Sequence, residues 1–143
     1  MKLKWMTART TKINRAATTP RHELGHYCRD LNGWPRSWMG LEKDLPPGEQ
    51  LLTLFRPFLE HLAASDLSSK TIQKHVDNMW VLGGEFIRDL HNDPSLRKKP
   101  VDRALLQMIE YGGPFLYHGG EDQQKSFDST CRKFRRFLSE TAR

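Results

Sequence analysis

Cysteine is scarce in this chain: Cys28 and Cys131 are the only two among 143 residues. A small secreted domain held by disulfides carries more, at framework spacing, so both thiols are expected to be reduced and the setting cytoplasmic. Long hydrophobic runs are missing as well. No stretch of about 18 apolar residues occurs, which leaves no candidate for a transmembrane helix. No apolar segment of signal-peptide type follows the N-terminus, so cleaved secretion is not expected. Strand-type alternation, heptad arrays and internal repeats are absent. So are a glycine-rich phosphate loop, paired CxxC motifs and a Ser/His/Asp order, and with them most enzyme classes lose support.

Acidic residues are absent from one place in particular. Residues 1–21 hold Lys2, Lys4, Arg9, Lys12, Arg15 and Arg21 and no Asp or Glu. The remaining 17 Lys and Arg balance the 17 Asp and Glu, so the whole net charge of +6 belongs to this segment. It shows no sustained apolar period and reads as a flexible basic arm. Such an arm attracts polyanions. A solubilising tail and an Arg-rich organelle-targeting segment are the alternatives.

What is present is helical periodicity. Residues 1–48 divide into the arm and a Pro/Gly-rich connecting segment, and residues 49–143 form the helical domain. In the connecting segment, Trp34 and Trp38 are expected to staple the core; the alternative is an exposed stacking surface built with Arg36. Leu51, Phe55, Phe58 and Leu62 make one stripe over 49–64, with Pro57 expected to kink the helix or start a new one. Ser68 is placed to cap a long helix over 69–91. Its expected buried face is Ile72, Val76, Met79, Trp80, Gly83, Ile87 and Leu90. Gly83-Gly84 weakens that helix, at about 1 kcal/mol per glycine relative to alanine, so close packing or a bend is expected there. Arg97, Lys98 and Lys99 read as a basic loop. Pro100 opens a helix through Ile109, Phe115 to Tyr117 read as a short extended piece, and a last helix spans 122–140. The expected fold class is all-α, a small bundle of about four main helices.

The last helix carries two stripes. Phe127, Cys131, Phe134 and Leu138 form the apolar one. Lys125, Ser129, Arg132 and Arg136, with Lys133 beside them, share the opposite face at 3.6 residues per turn, and only Asp128 interrupts the positive charge. Cations with a hydroxyl among them suit phosphates and base edges in a major groove. The first turn of the long helix adds Lys70, Thr71 and Lys74, where backbone N–H groups also favour phosphate. A solvated polar face is the ordinary alternative.

The segment FLEHLAASDLSSKTIQKHVDNMWVLGGEFI resembles the start of the core-binding (SAM-like) N-terminal domain of phage integrases, the tyrosine recombinases. Phe58, Leu59, Leu62, Leu67, Ser68, Thr71 and Ile72 carry that resemblance, and STCRKFRRFLSE is similar to the family's fourth helix. The resemblance covers about residues 50–140. It implies a helical half-clamp on duplex DNA, with Lys70, Thr71, Lys74, Lys125, Ser129, Arg132, Lys133 and Arg136 on the DNA side, in a mobile-element or plasmid context. The family's catalytic domain follows with Arg, Lys, His-x-x-Arg and a nucleophilic Tyr. His-x-x-Arg spacing occurs only at His26–Arg29, ahead of the resembling segment, and no Tyr follows Tyr117, so DNA binding without catalysis, and without a cofactor, is the expectation. The alternative is a protein-interaction bundle, in which a protein partner or a second copy replaces DNA.

A rival signal lies at residues 22–26, where HELGH fits H-E-x-x-H. On a helix, His22 and His26 would share a face and hold Zn²⁺, with Glu23 as general base. The extended metzincin pattern fails, because Arg29 and Asn32 stand where Gly and His are required. No sheet is expected to back the helix. A zinc-dependent hydrolase is therefore the second alternative, and no bound metal is expected.

Overall fold

Glycine at position 83 lets an indole ring lie directly on a helix backbone, and the bundle is arranged around that contact. The structure is a computed structural model that describes residues 23–141. The basic arm and His22 lie outside the described residues. Among those described there are five α-helices and no strand: α1 (Trp34–Trp38), α2 (Leu45–Ala63), α3 (Ser69–Asn92), α4 (Val101–Met108) and α5 (Glu121–Thr141). Single-turn 3-10 pieces at Leu24–His26, Leu31–Gly33, Glu42–Asp44 and Pro94–Lys98 link them. The expected all-α bundle is thus the observed one, and no helix among the described residues is long and apolar enough to cross a membrane.

Local sequence explains most boundaries. Ser68 has extended backbone and its Oγ accepts the Thr71 N–H at 3.1 Å, which fixes the start of α3. Asp93 accepts from the Ser95 N–H and hydroxyl, turning the chain after α3. Pro46 and Pro47 fit the first turn of α2, where no intrahelical N–H is lost, so α2 begins at Leu45 rather than at 49. Pro57 neither ends nor restarts the helix; α2 runs through it, with the ring on an exposed side and the Thr53 carbonyl deprived of its usual donor. Residues 94–98 form a 3-10 turn where a loop was expected. Residues 113–116 adopt no regular structure; Leu116 is buried between exposed Phe115 and Tyr117.

The core runs as a column of rings. Trp38 packs on Trp34 (centroids 5.8 Å apart) and edge-on against Phe55 (6.0 Å). Phe55 meets Phe134 of α5 at 5.4 Å, and Phe134 meets Phe58 at 5.1 Å. Trp34 and Trp38 are therefore staples, not an exposed stacking surface. At the other end of the column, a Cβ on Gly83 would overlap the Trp38 ring carbons, whereas one on Gly84 would only touch Trp38 Cδ1 at 3.6 Å. The Trp38 indole N–H donates to the Trp80 carbonyl at 2.9 Å.

Trp80 itself is not in the buried face. It is 43% exposed, and its indole N–H donates to Ser37 Oγ at 2.9 Å. The face of α3 that turns inward includes His75, Leu82 and Phe86, which the expected stripe omitted. Trp80 sits one helical step to the side, against α1, where its polar edge finds a partner.

Asp44 is fully buried and joins three segments. Oδ2 accepts from the Gly40 and Leu41 N–H groups at 2.8 Å each and from His91 Nε2 at 2.7 Å; Oδ1 accepts from Arg97 at 2.7 Å. Burial raises the carboxyl pKa, but the hydrogen bonds from Arg97, His91 and the two amides outweigh it and hold the group well below the usual carboxylate range.

Two outcomes follow from these contacts. Gly83→Ala should destabilise the fold by about 1–3 kcal/mol through overpacking, while Gly84→Ala should be neutral or stabilising by up to about 1 kcal/mol; urea melts of the two variants read the difference. Asp44→Ala should cost about 3 kcal/mol, since it strands Arg97 and two amides. Because the folded carboxyl titrates below its unfolded value of about 3.9, its contribution is complete above that pH and is lost as pH falls toward the folded value. Asp44→Asn should flatten that acid limb of the stability curve.

Candidate nucleic-acid interface

The apolar stripe of α5 seats the helix, and the opposite stripe follows from it. Phe127, Cys131 and Phe134 are fully buried. Lys125, Ser129, Arg132 and Arg136 are exposed and Lys133 is half-buried. Arg135 is exposed as well. The one acid expected to interrupt the cations does not do so. Asp128 Oδ1 accepts from the Gly113 N–H at 2.8 Å and from Gln124 Nε2 at 3.0 Å, so its carboxylate is turned toward the loop before α5. Lys125 does have an acidic neighbour, Glu121, at 3.9 Å; both side chains are well exposed, so the pair contributes little.

On α3, Lys70 and Lys74 are exposed in the first two turns. Thr71 is half-buried, and its hydroxyl is bonded to Ser68 Oγ at 2.9 Å, which commits it to the helix cap. Thr71 is therefore committed within the fold rather than open to a ligand.

A buried polar seam brings the two helices together, and none of its members stood out in the sequence. His75 Nδ1 lies 2.7 Å from Thr130 Oγ1. Asn78 Nδ2 donates to Thr130 Oγ1 at 2.9 Å and to Ser126 Oγ at 3.1 Å. With Nδ1 unprotonated, the Thr130 hydroxyl can donate to His75 while it accepts from Asn78. The order of pairing, 75 with 130 and 78 with 126, makes the helices antiparallel. It sets the start of α3 beside the second half of α5. Burial, then the positive charges of Lys74 and Lys133, push the His75 pKa down to about 4. Both cations thus act on one ring, Lys74 from α3 and Lys133 from α5. A signal for this seam existed in the spacing of His75, Asn78, Ser126 and Thr130, but only with the helix pairing in hand.

The HELGH segment takes another form. Leu24–His26 is a single 3-10 turn, and Glu23 before it has extended backbone with ψ 158°. An α-helix carrying both histidines on one face would need helical backbone at Glu23. His26 and Glu23 are exposed, His22 lies outside the described residues, and among those described no three His, Cys, Asp or Glu side chains cluster at metal-ligand range. Beside this turn, an open cleft of about 630 Å³ is lined by Glu23, Arg29, Asp30, Arg56 and Glu60 among others. Its charges are mixed, and Arg56 already donates to Asn32 at 2.7 Å.

The seam gives a pH-dependent expectation. A histidine whose folded pKa is depressed binds its proton more readily when unfolded, so its contribution is complete above about pH 6.5 and declines as pH falls toward about 4. An NMR titration should find the His75 ring neutral until near pH 4. Thr130→Val, which strands His75 Nδ1 and leaves Asn78 with Ser126 alone, should cost about 1–3 kcal/mol.

Set against known protein families, curated proteins and solved structures, the chain finds no match.

Proposed function

We propose that this chain is a non-catalytic duplex-DNA-binding module that works in the manner of a recombinase core-binding domain. The observation that carries the reading is the exposed row Lys125, Ser129, Arg132 and Arg136 on a helix whose other side is locked by Phe127 and Phe134. In this reading Lys133 of α5 and Lys74 of α3, which both act on His75, belong to the same DNA-facing set, together with the exposed Lys70. A rigid helix with cations on one side supplies phosphate contacts, and Ser129 and the arginines supply donors suited to base edges. The basic segment 1–21 adds screened attraction that does not depend on DNA sequence.

In this reading the helix row and the arm act differently, and salt separates them. Each phosphate contact contributes about 0.9 to the slope of log affinity against log salt. Deleting residues 1–21 should lower that slope and weaken binding to all duplexes alike. Replacing Arg132 and Arg136 together with Ala should lower the slope by about 2, with the helical circular-dichroism signal unchanged, because neither side chain is in the core. Unchanged binding by the double variant would remove α5 from the interface. An intact chain with no salt-sensitive affinity for any duplex would favour the protein-interaction reading.

A further inference from the structure

Among the described residues, the most exposed large hydrophobic side chains belong to the loop between α4 and α5. Tyr111 is 88%, Phe115 63% and Tyr117 74% exposed, and Leu106 of α4 is 42% exposed. The loop that presents them is tied down. Gln124 accepts the Leu116 N–H at 2.7 Å and donates to the Pro114 carbonyl at 3.1 Å. Asp128 holds the Gly113 N–H, and Leu116 is buried beneath. A Cβ on Gly113 would overlap Phe127, so the backbone lies flat on α5. Phe115 and Tyr117 meet edge-to-face at 4.9 Å. Holding aromatic rings in water on an anchored loop is a feature of binding surfaces.

Charge decides what fits there. From residue 104 to residue 124 there is no Lys or Arg, while the exposed Glu110, Glu121 and Asp122 flank the rings in sequence; Lys125 lies 3.9 Å from Glu121, an exposed pair that leaves Glu110 and Asp122 unmatched. An aromatic surface with such acidic flanks repels nucleic acid. It also disfavours a symmetric pairing of two copies, because a two-fold contact would set these carboxylates against themselves. It suits Lys and Arg side chains, which stack on aromatic faces and pair with carboxylates. Residues 1–21 have that composition: six cations, no acid, and Leu3, Trp5, Met6 and Ile13 to bury.

We infer that the basic N-terminal segment, residues 1–21, docks in cis on the anchored Phe115–Tyr117 pair, with the flanking carboxylates of Glu110, Glu121 and Asp122 as its charge partners. Reach is sufficient. The segment joins the described chain at Glu23, beside the end of α2, where Glu23, Ala63 and Ala64 line one cleft. An extended chain covers about 3.3–3.6 Å per residue, so 21 residues outrun the longest helix, which rises about 1.5 Å per residue over 24 residues. Tethering gives the segment an effective concentration in the millimolar range, which lets contacts that are weak in trans hold in cis. The docked arm and a duplex would compete for the same six cations, but the docking itself does not depend on the DNA reading.

The test is photo-crosslinking in the full chain. Benzoylphenylalanine is placed at Tyr117 in one variant and at Phe115 in a second, and circular dichroism confirms that each folds. Equal amounts of ¹⁴N- and ¹⁵N-labelled chains are mixed before irradiation, and the cross-linked peptides are mapped by mass spectrometry. The expected result is cross-links to peptides within residues 1–21 carrying the same label as the probe. Their yield should fall about tenfold when Glu110→Gln, Glu121→Gln and Asp122→Asn are combined, the loss expected of two or three exposed ion pairs. It should fall likewise at about 1 M salt, where the screening length is about 3 Å. Mixed-label cross-links in place of same-label ones, cross-links only to residues 104–118 of a second copy, or a yield indifferent to the carboxylates would each overturn the proposal.

Discussion

A missing side chain at position 83 is the constraint from which the packing follows. Because Gly83 presents only backbone, the Trp38 ring can lie on α3, and its N–H reaches the Trp80 carbonyl. That fixes α1 against α3. The far side of the ring fixes Phe55, Phe55 fixes Phe134, and Phe134 fixes the rotation of α5. The exposed cations of α5 thus inherit their direction from a glycine on another helix. A helix-weakening residue in the middle of α3 is tolerated because a large ring is buried in return.

Polar groups then fasten what the rings align. Asp44 ties the start of α2 to the end of α3 and the turn after it, through His91 and Arg97. His75 and Asn78 tie α3 to α5 through Thr130 and Ser126. The Asp44 network gives both carboxylate oxygens partners, the condition under which a buried polar group adds specificity rather than cost. Both networks are built for neutral to mildly basic conditions, since acid removes the charge on one and adds a charge to the other.

Much of this architecture was legible. Apolar spacing located α2, α3 and α5, Ser68 marked a real cap, and the Gly83-Gly84 pair pointed to the close approach that Trp38 makes. The stripe on α5 was legible because one helix determines both of its faces. What escaped was whatever depends on a distant partner. Trp80 is apolar enough to be counted in the core, but its exposure follows from Ser37, 43 residues away. Leu82 and Phe86 belong to the inward face once α1 and α5 both press on α3. Asp44 looks like any loop acid until Arg97 and His91 surround it. Asp128 looked like a flaw in the basic row, and only the fold of the 113–116 loop turns it aside. The HELGH spacing had the letters of a zinc helix, but extended backbone at Glu23 breaks the periodicity that the motif requires.

The ring column also governs the order in which the chain can fold. Its joints unite residues far apart in sequence, and the seam between His75 and Thr130 closes a span of 55 residues. A growing chain can form α2 and α3 early, and Trp38 can cover one side of Phe55, but Phe58 and the other side of Phe55 lack Phe134 until α5 arrives. Contacts of such separation slow folding compared with a bundle of neighbouring hairpins, because loop closure must precede the reward of burial. A chain shortened before α5 would leave the sides of Phe55 and Phe58 that Phe134 covers exposed to water, the kind of surface that aggregation exploits.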